Sequence, residues 1–248
     1  SVFLRYGISI CVAGATSSGK TTAAGWLLTT IPDSKRIFTI ENGSRELELV
    51  REENGKVVNS VVHTLTRDSE NERQRIDQIA LVDICLRFNP DILVVGEMRG
   101  AEAKAGEAPA PVGVAVLPPL HPNPCGAPYR RMVSLCKRAV DMSDETLLSY
   151  VTEAYPIVVF CKQLENKQRR MMEIMECEIL PNGDRRYNTL FRYIITENHM
   201  KDGKFVIEGH HTQVNEISVS LRKRLLENGM PNEELQTLLK PKKEVNAT

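Results

Sequence analysis

Short apolar runs and stretches of helical spacing alternate along the first half of the chain. Residues 8–13 are almost wholly apolar and read as a strand buried on both faces. Residues 19 to about 30 read as a helix that stops at Ile31-Pro32-Asp33. Residues 36–40 form a second apolar run that leads into Glu41-Asn42-Gly43, and residues 57–65 are rich in β-branched side chains, as strands are. Residues 71–88 carry Ile76, Ile79, Ala80, Val82 and Leu86 at helical spacing and end ahead of Pro90. Residues 91–96 are a third buried run. Such alternation predicts a parallel sheet with helices on both faces. In sheets of this kind ligands bind beyond the carboxyl ends of the strands.

Beyond Ser134 the pattern changes. A helix over about residues 144–152 leads to the apolar run 157–161. Residues 169–179 and 187–196 then alternate like antiparallel strands around the turn Pro181-Asn182-Gly183-Asp184. Residues 205–207 are a further short strand, and helices over about 216–228 and 232–239 close the pattern. Lys240-Pro241-Lys242-Lys243 reads as a frayed, solvated basic end.

Composition narrows the class without naming it. The 248 residues suffice for one large α/β domain, or a core with a small subdomain. Formal net charge is zero, so bulk electrostatics give no argument for a nucleic-acid or anionic partner. No apolar run reaches the about 18 residues of a membrane span, and no signal peptide is visible. The six cysteines (Cys11, Cys85, Cys125, Cys136, Cys161, Cys177) include no C-x-x-C pair, and several sit in apolar runs. That usage fits buried free thiols in a reducing, cytoplasmic compartment. The first strand starts almost at residue 1 with no initiator Met, as expected of a domain cut from a longer protein with a further domain upstream.

The chemistry begins at Gly14-Ala15-Thr16-Ser17-Ser18-Gly19-Lys20-Thr21, which follows the first apolar run. This is G-x-x-x-x-G-K-[ST], the phosphate-binding P-loop, in its required place between a strand and a helix. The glycines let successive N–H groups turn inward around phosphate. Lys20 would reach the β- and γ-phosphates, and the Thr21 hydroxyl would hold Mg²⁺. Thr22 continues into the helix, whose N-terminus adds positive potential at the same point. An acid at the end of the strand 91–96 is what such a site needs to orient water and support the Mg²⁺ shell, and Glu97 stands there.

Residues Arg87-Phe88-Asn89-Pro90-Asp91-Ile92-Leu93-Val94-Val95-Gly96-Glu97-Met98-Arg99-Gly100-Ala101-Glu102-Ala103 resemble the Walker B box of the type II/type IV secretion ATPase superfamily. Thr39-Ile40-Glu41-Asn42 with Glu46-Leu47-Glu48-Leu49 resembles the family's acidic box. His121 with Asn123, and then Tyr129-Arg130-Arg131-Met132, resembles its histidine box. The similarity runs in order from about residue 4 to about residue 193, and its last part resembles the branch serving tight-adherence pili and conjugation.

The resemblance implies a RecA-like P-loop core over residues 1–160 and an antiparallel and helical extension of the same motor domain over residues 161–248. It implies binding of ATP and Mg²⁺, with Glu97 promoting hydrolysis, Glu41 near Mg²⁺ and water, and His121 sensing the γ-phosphate. Asn42 stands where the family has Asp, and Glu46 lies one residue further along than the family spacing.

The histidine box departs furthest. Prolines at 118, 119, 122 and 124 occupy positions where Thr or Ser is expected, and proline suits a central strand poorly. Three readings stand: a loop here, a weakened sensor, or an error in the reported sequence between about residues 108 and 128. Ring ATPases commonly complete a site with a neighbour's arginine. Arg67, Arg87, Arg99, Arg130 and Arg131 are candidates, with Arg99 and Arg67 preferred. His63, His199, His210 and His211 lack metal-ligand spacing.

The expectation is an ATP-hydrolysing hexameric motor, cytoplasmic and peripheral to the membrane's inner face. Its partners would be inner-membrane platform proteins of a secretion, pilus or conjugation apparatus, with no direct nucleic-acid contact. The alternatives are a weakly hydrolysing ring subunit and a DNA-translocating motor. Neutral charge and the absence of aromatic-basic interleaving speak against the second.

Overall fold

The structure is a computed structural model that describes residues 1–96, 114–120, 128–138, 140–240 and 245–246. Four strands pair in parallel: β2 (Arg36–Asn42) lies between β5 (Ser60–Thr66) and β6 (Ile92–Val95), and β7 (Ala115–Leu117) follows β6. A second sheet holds β1 (Ile10–Gly14) between β8 (Pro119–Leu120) and β9 (Ile157–Gln163), both parallel to it. From β9 it continues antiparallel through β10 (Arg169–Ile179), β11 (Arg185–Lys201), β12 (Lys204–Gln213) and β13 (Val245–Asn246).

The two sheets meet at Pro118. The chain leaves β7 on one sheet, passes this proline and pairs with β1 on the other. This corrects the loop reading at residues 118 and 119, where the chain is extended and sits between β6 and β1. Proline lacks only the donor, and its carbonyl still serves: Val12 N–H donates to the Pro118 oxygen at 3.0 Å. Pro122 and Pro124 lie outside the described residues.

Alternate residues of the central strands feed two cores, as the double-sided burial predicted. Ile10, Val12, Ile92, Val94, Leu117, Ile157 and Val159 pack with α1 (Val2–Arg5), α2 (Lys20–Thr29) and the C-terminal helices. Cys11, Ala13, Leu93, Val95, Val116 and Val158 pack on the other face, with α3 (Gln78–Arg87), α4 (Pro128–Cys136) and α5 (Asp144–Ala154). The helices α6 (Val219–Glu227) and α7 (Asn232–Leu239) return to the first turn of the chain. There Asn228 Nδ2 donates to the Tyr6 carbonyl at 2.7 Å, and the Tyr6 hydroxyl donates to Glu234.

Three predicted elements differ in detail. The helix expected over 71–88 is broken. Glu72–Gln74 is a single 3₁₀ turn, and Ile76 makes a two-way backbone bridge with Arg67 at 2.9 Å each way. α3 then starts at Gln78, behind Asp77, whose carboxylate accepts from the Ala80 N–H at 2.9 Å as the N-cap. The strand expected over 57–65 is split. β3 (Glu52–Glu53) and β4 (Lys56–Val57) form a hairpin across Asn54-Gly55, both at positive φ, ahead of β5. The third difference is length: β12 runs well beyond 205–207, because Asp202-Gly203 makes another two-residue turn and extends the ladder with β11.

Candidate functional site

β1 ends at Gly14, and the chain turns through residues 15–19 into α2. Two features need glycine. A Cβ at Gly14 would lie 2.4 Å from the Cys161 carbonyl oxygen on β9 and 2.4 Å from Ser18 Oγ. Gly19, the residue before α2, has φ +93°, and Ser17 also adopts a positive φ of 62°. Alternation of this kind turns neighbouring N–H groups to one side and makes an anion-binding concavity. Lys20 is buried, and its Nζ donates to the carbonyls of Gly14 (3.0 Å) and Ala15 (2.8 Å), which hold the ammonium within the turn. Ser18 is buried, and its Oγ has no hydrogen-bond partner. A buried hydroxyl left unpaired is costly unless something else meets it. Thr16 and Thr22 are exposed at the mouth.

Thr21 opens α2 and faces an acidic segment that follows β2. Its hydroxyl donates to Glu46 Oε2 at 3.3 Å. Glu46 is exposed on irregular chain, but its neighbours are anchored. Leu47 and Leu49 are buried, and Leu47 Cδ2 lies 3.6 Å from where a Cβ would stand at Gly25 of α2. Glu41, near the end of β2, is 3% exposed and takes four contacts. Oε2 accepts from the N–H groups of Glu46 (2.6 Å) and Leu47 (3.0 Å). Oε1 accepts from the Thr39 hydroxyl at 3.1 Å, with His63 Nδ1 at 3.4 Å. Thr39 and His63 are direct partners in the parallel ladder of β2 and β5, and Thr39 Oγ1 lies 2.9 Å from His63 Nδ1.

Burial, with help from the Arg45 charge, pushes the His63 imidazole below its ordinary value, although Glu41 pulls the other way. Near neutral pH His63 therefore meets Glu41 as a neutral hydrogen-bonding group.

A cavity of about 160 Å³ opens between these elements. Thr21, Glu41, Asn42, Glu46, Gly96 and Pro119 line it. Gly96 closes β6 against β2: its N–H donates to the Ile40 carbonyl at 2.6 Å, and a Cβ there would stand 3.0 Å from that oxygen. The carboxyl ends of β1, β2 and β6 thus converge, as the strand pattern predicted. Donors at the P-loop suit anionic oxygens, and the Thr21 hydroxyl opposite carboxylate oxygen suits a hard cation such as Mg²⁺. Among the described residues no group of three or more His, Cys, Asp or Glu side chains is placed to hold a metal ion.

Of the predicted residues, Gly14, Ser17, Ser18, Gly19, Lys20, Thr21 and Glu41 come together here. Glu97, Arg99 and His121 lie outside the described residues. Arg67 does not line the cavity; it is exposed just past β5, and its Nε donates to the Gln74 carbonyl at 2.7 Å. Asn42 Oδ1 accepts from Thr66 at 3.4 Å.

Three contributors escaped the sequence reading. Thr39 and His63 meet Glu41 only through strand register. Arg169, at the start of β10, lays its side chain across the P-loop, with Cδ 3.2 Å from the position of a Gly19 Cβ. Its signal was the antiparallel pairing that brings β10 back beside β9.

Among the described residues no helix is long and apolar enough to cross a membrane. A conjugal transfer protein TrbB, described as probable, from Sinorhizobium fredii is 28% identical over 183 residues, covering 71% of this chain and 50% of TrbB. The type IV secretion system protein VirB11 of Bartonella quintana is 27% identical over 166 residues, covering 64% of this chain and 44% of VirB11. The chain spans about half the length of these relatives. The crystal structure of the VirB11 ATPase from the Brucella suis type IV secretion system, in complex with sulphate, is similar in fold. Its TM-score is 0.57 at 23% identity, covering 70% of this chain and 49% of VirB11. The pilus retraction motor PilT with bound ADP has a TM-score of 0.50 at 18% identity, covering 96% of this chain and 55% of PilT. The family model described as type II/IV secretion system protein matches residues 2–241, and the chain belongs to that family.

Proposed function

We propose that the chain is the motor domain of an ATP-hydrolysing machine for secretion, pilus assembly or conjugative transfer. The observation that carries this reading is the buried Lys20 inside a glycine-shaped turn, with the unpaired Ser18 hydroxyl beside it and Thr21 facing an acidic segment. Of the solved relatives, one is in complex with sulphate and the other with ADP, both of which carry tetrahedral oxyanions.

In this reading Lys20 and the N–H groups of residues 15–21 bind the β- and γ-phosphates. The Ser18 hydroxyl donates to a phosphate oxygen, and the Thr21 hydroxyl ligates the cation. A Mg²⁺ ion held at the Thr21 hydroxyl would supply positive charge beside the phosphates. Glu97 positions the attacking water, and His121 reports the γ-phosphate. Arg99 and Arg67 are the residues offered to a neighbouring site. The working assembly is a homo-oligomer, a hexamer, on the cytoplasmic face of a membrane beside platform proteins.

Steady-state ATP turnover tests the chemistry. Glu97→Gln is expected to keep ATP binding and lower kcat by about 100-fold or more, the range for loss of a residue that handles the water's proton. An unchanged kcat would remove Glu97 from its role.

A further inference from the structure

Glu41 and Glu46 both border the cavity, but they are not equivalent. Three protein donors already meet the Glu41 carboxylate: two backbone N–H groups on Oε2 and the Thr39 hydroxyl on Oε1, with His63 Nδ1 standing 3.4 Å from Oε1. A carboxylate held by three donors and only 3% exposed has little left to offer a hydrated cation or a water. The contacts also fix the direction of the chain of hydrogen bonds. An ionised carboxylate only accepts, so Thr39 spends its one hydroxyl proton on Glu41. Toward His63 the hydroxyl can then only accept, so Nδ1 carries the proton. Nε2 is left as the bare nitrogen, and it is the His63 atom found buried without a partner.

Glu46 is the opposite case. Its backbone N–H is held by Glu41, and the buried side chains of Leu47 and Leu49 pin the chain after it. Its carboxylate is left exposed, within reach of the Thr21 hydroxyl at 3.3 Å. We propose that Glu46 is the carboxylate of this segment that faces the nucleotide-bound cation. Glu41, braced by Thr39 and His63, is a positioning residue that holds Glu46 in place. The proposal rests on the nucleotide reading above and assigns the work within it.

Binding of a fluorescent ATP analogue, titrated with Mg²⁺, separates the roles when read beside the melting temperature of the nucleotide-free protein. Glu46→Gln is expected to raise the Mg²⁺ needed for half-maximal binding about tenfold. It should leave the melting temperature unchanged and Mg²⁺-free binding no weaker. Glu41→Gln should raise the Mg²⁺ requirement and also lower the melting temperature, and adding Glu46→Gln to it should raise the requirement no further. His63→Ala should act like a milder Glu41→Gln, with recovery in His63→Asn, whose side-chain amide can again donate.

The assignment is overturned if Glu46→Gln is inert, or if Glu41→Gln raises the Mg²⁺ requirement at an unchanged melting temperature. Lys20→Ala is the separate control. If it still binds the analogue normally, the nucleotide reading itself has failed, whichever carboxylate matters.

Discussion

Ser18 and Gly14 show how the proposed binding site would be held in readiness at a cost to the fold. The Ser18 hydroxyl is buried and unpaired, so removing it takes away a desolvated group that the protein alone leaves unsatisfied. Ser18→Ala should leave stability unchanged or slightly raised, by at most about 1 kcal/mol, in urea unfolding. ATP affinity should fall by about tenfold or more, as expected for a lost hydrogen bond to a charged oxygen. A loss of stability with full affinity would mean that the hydroxyl serves the fold. At Gly14 the added methyl would meet backbone, the Cys161 carbonyl oxygen at 2.4 Å, and cannot be relieved by a side-chain rotation. Gly14→Ala should destabilise by about 1–3 kcal/mol, as overpacking does. Gly43→Ala meets nothing within 4 Å and separates this clash from strain at positive φ alone.

At the scale of elements, the strands β1, β2 and β6 were legible because burial on both faces leaves continuous apolar runs. The P-loop was legible because its backbone shape needs particular residues at fixed spacing. Other parts were not legible, for reasons the contacts make plain. Residues 71–88 keep helical spacing throughout, yet the bridge from Ile76 to Arg67 is a tertiary bond that spacing cannot report. Glu46 looked misplaced because family spacing was counted along an irregular segment. Its position is set by Leu47 and Leu49 packing inward and by the Glu41 carboxylate. His63 had no motif, since its value to the site comes from lying opposite Thr39 in a parallel pair.

The buried thiols also predict a pH response. Burial raises the thiols of Cys85 to about 12 and of Cys161 and Cys177 to about 11, from an ordinary 9.0. The folded state thus holds these protons more tightly than the unfolded chain. Their stabilising contribution is complete below pH 9 and is lost as pH rises through about 11–12. Melting temperature should be flat from pH 7 to 8.5 and fall above pH 9. In a Cys125→Ser background, alkylation at pH 8 should leave the five buried thiols unmodified until the protein unfolds. Rapid labelling of any of them would show that its strand or helix opens locally.

Over the whole molecule, the crossing at Pro118 joins the parallel half to the half that carries β9 and β10. The turn proposed to bind nucleotide sits on the seam: Gly14 lies against β9, Arg169 of β10 lies over Gly19, and the acidic segment reaches Thr21 from β2. A bound phosphate would therefore be felt by both halves at once, which is what the proposed motor would need if nucleotide exchange is to move one part against another. Arg169→Ala should weaken ATP binding more at low salt than at high salt, as loss of a screened charge does, and a salt-independent change would point to packing alone.

The most direct measurement of the central claim is equilibrium binding of ATP with Mg²⁺ to the wild-type protein and to Lys20→Ala, beside melting curves for both. The account predicts saturable binding by the wild type, a loss of at least about 30-fold in affinity for Lys20→Ala, as a charge-assisted contact of roughly 2 kcal/mol gives, and closely similar melting temperatures without nucleotide. Equal affinity in two equally folded proteins would contradict it.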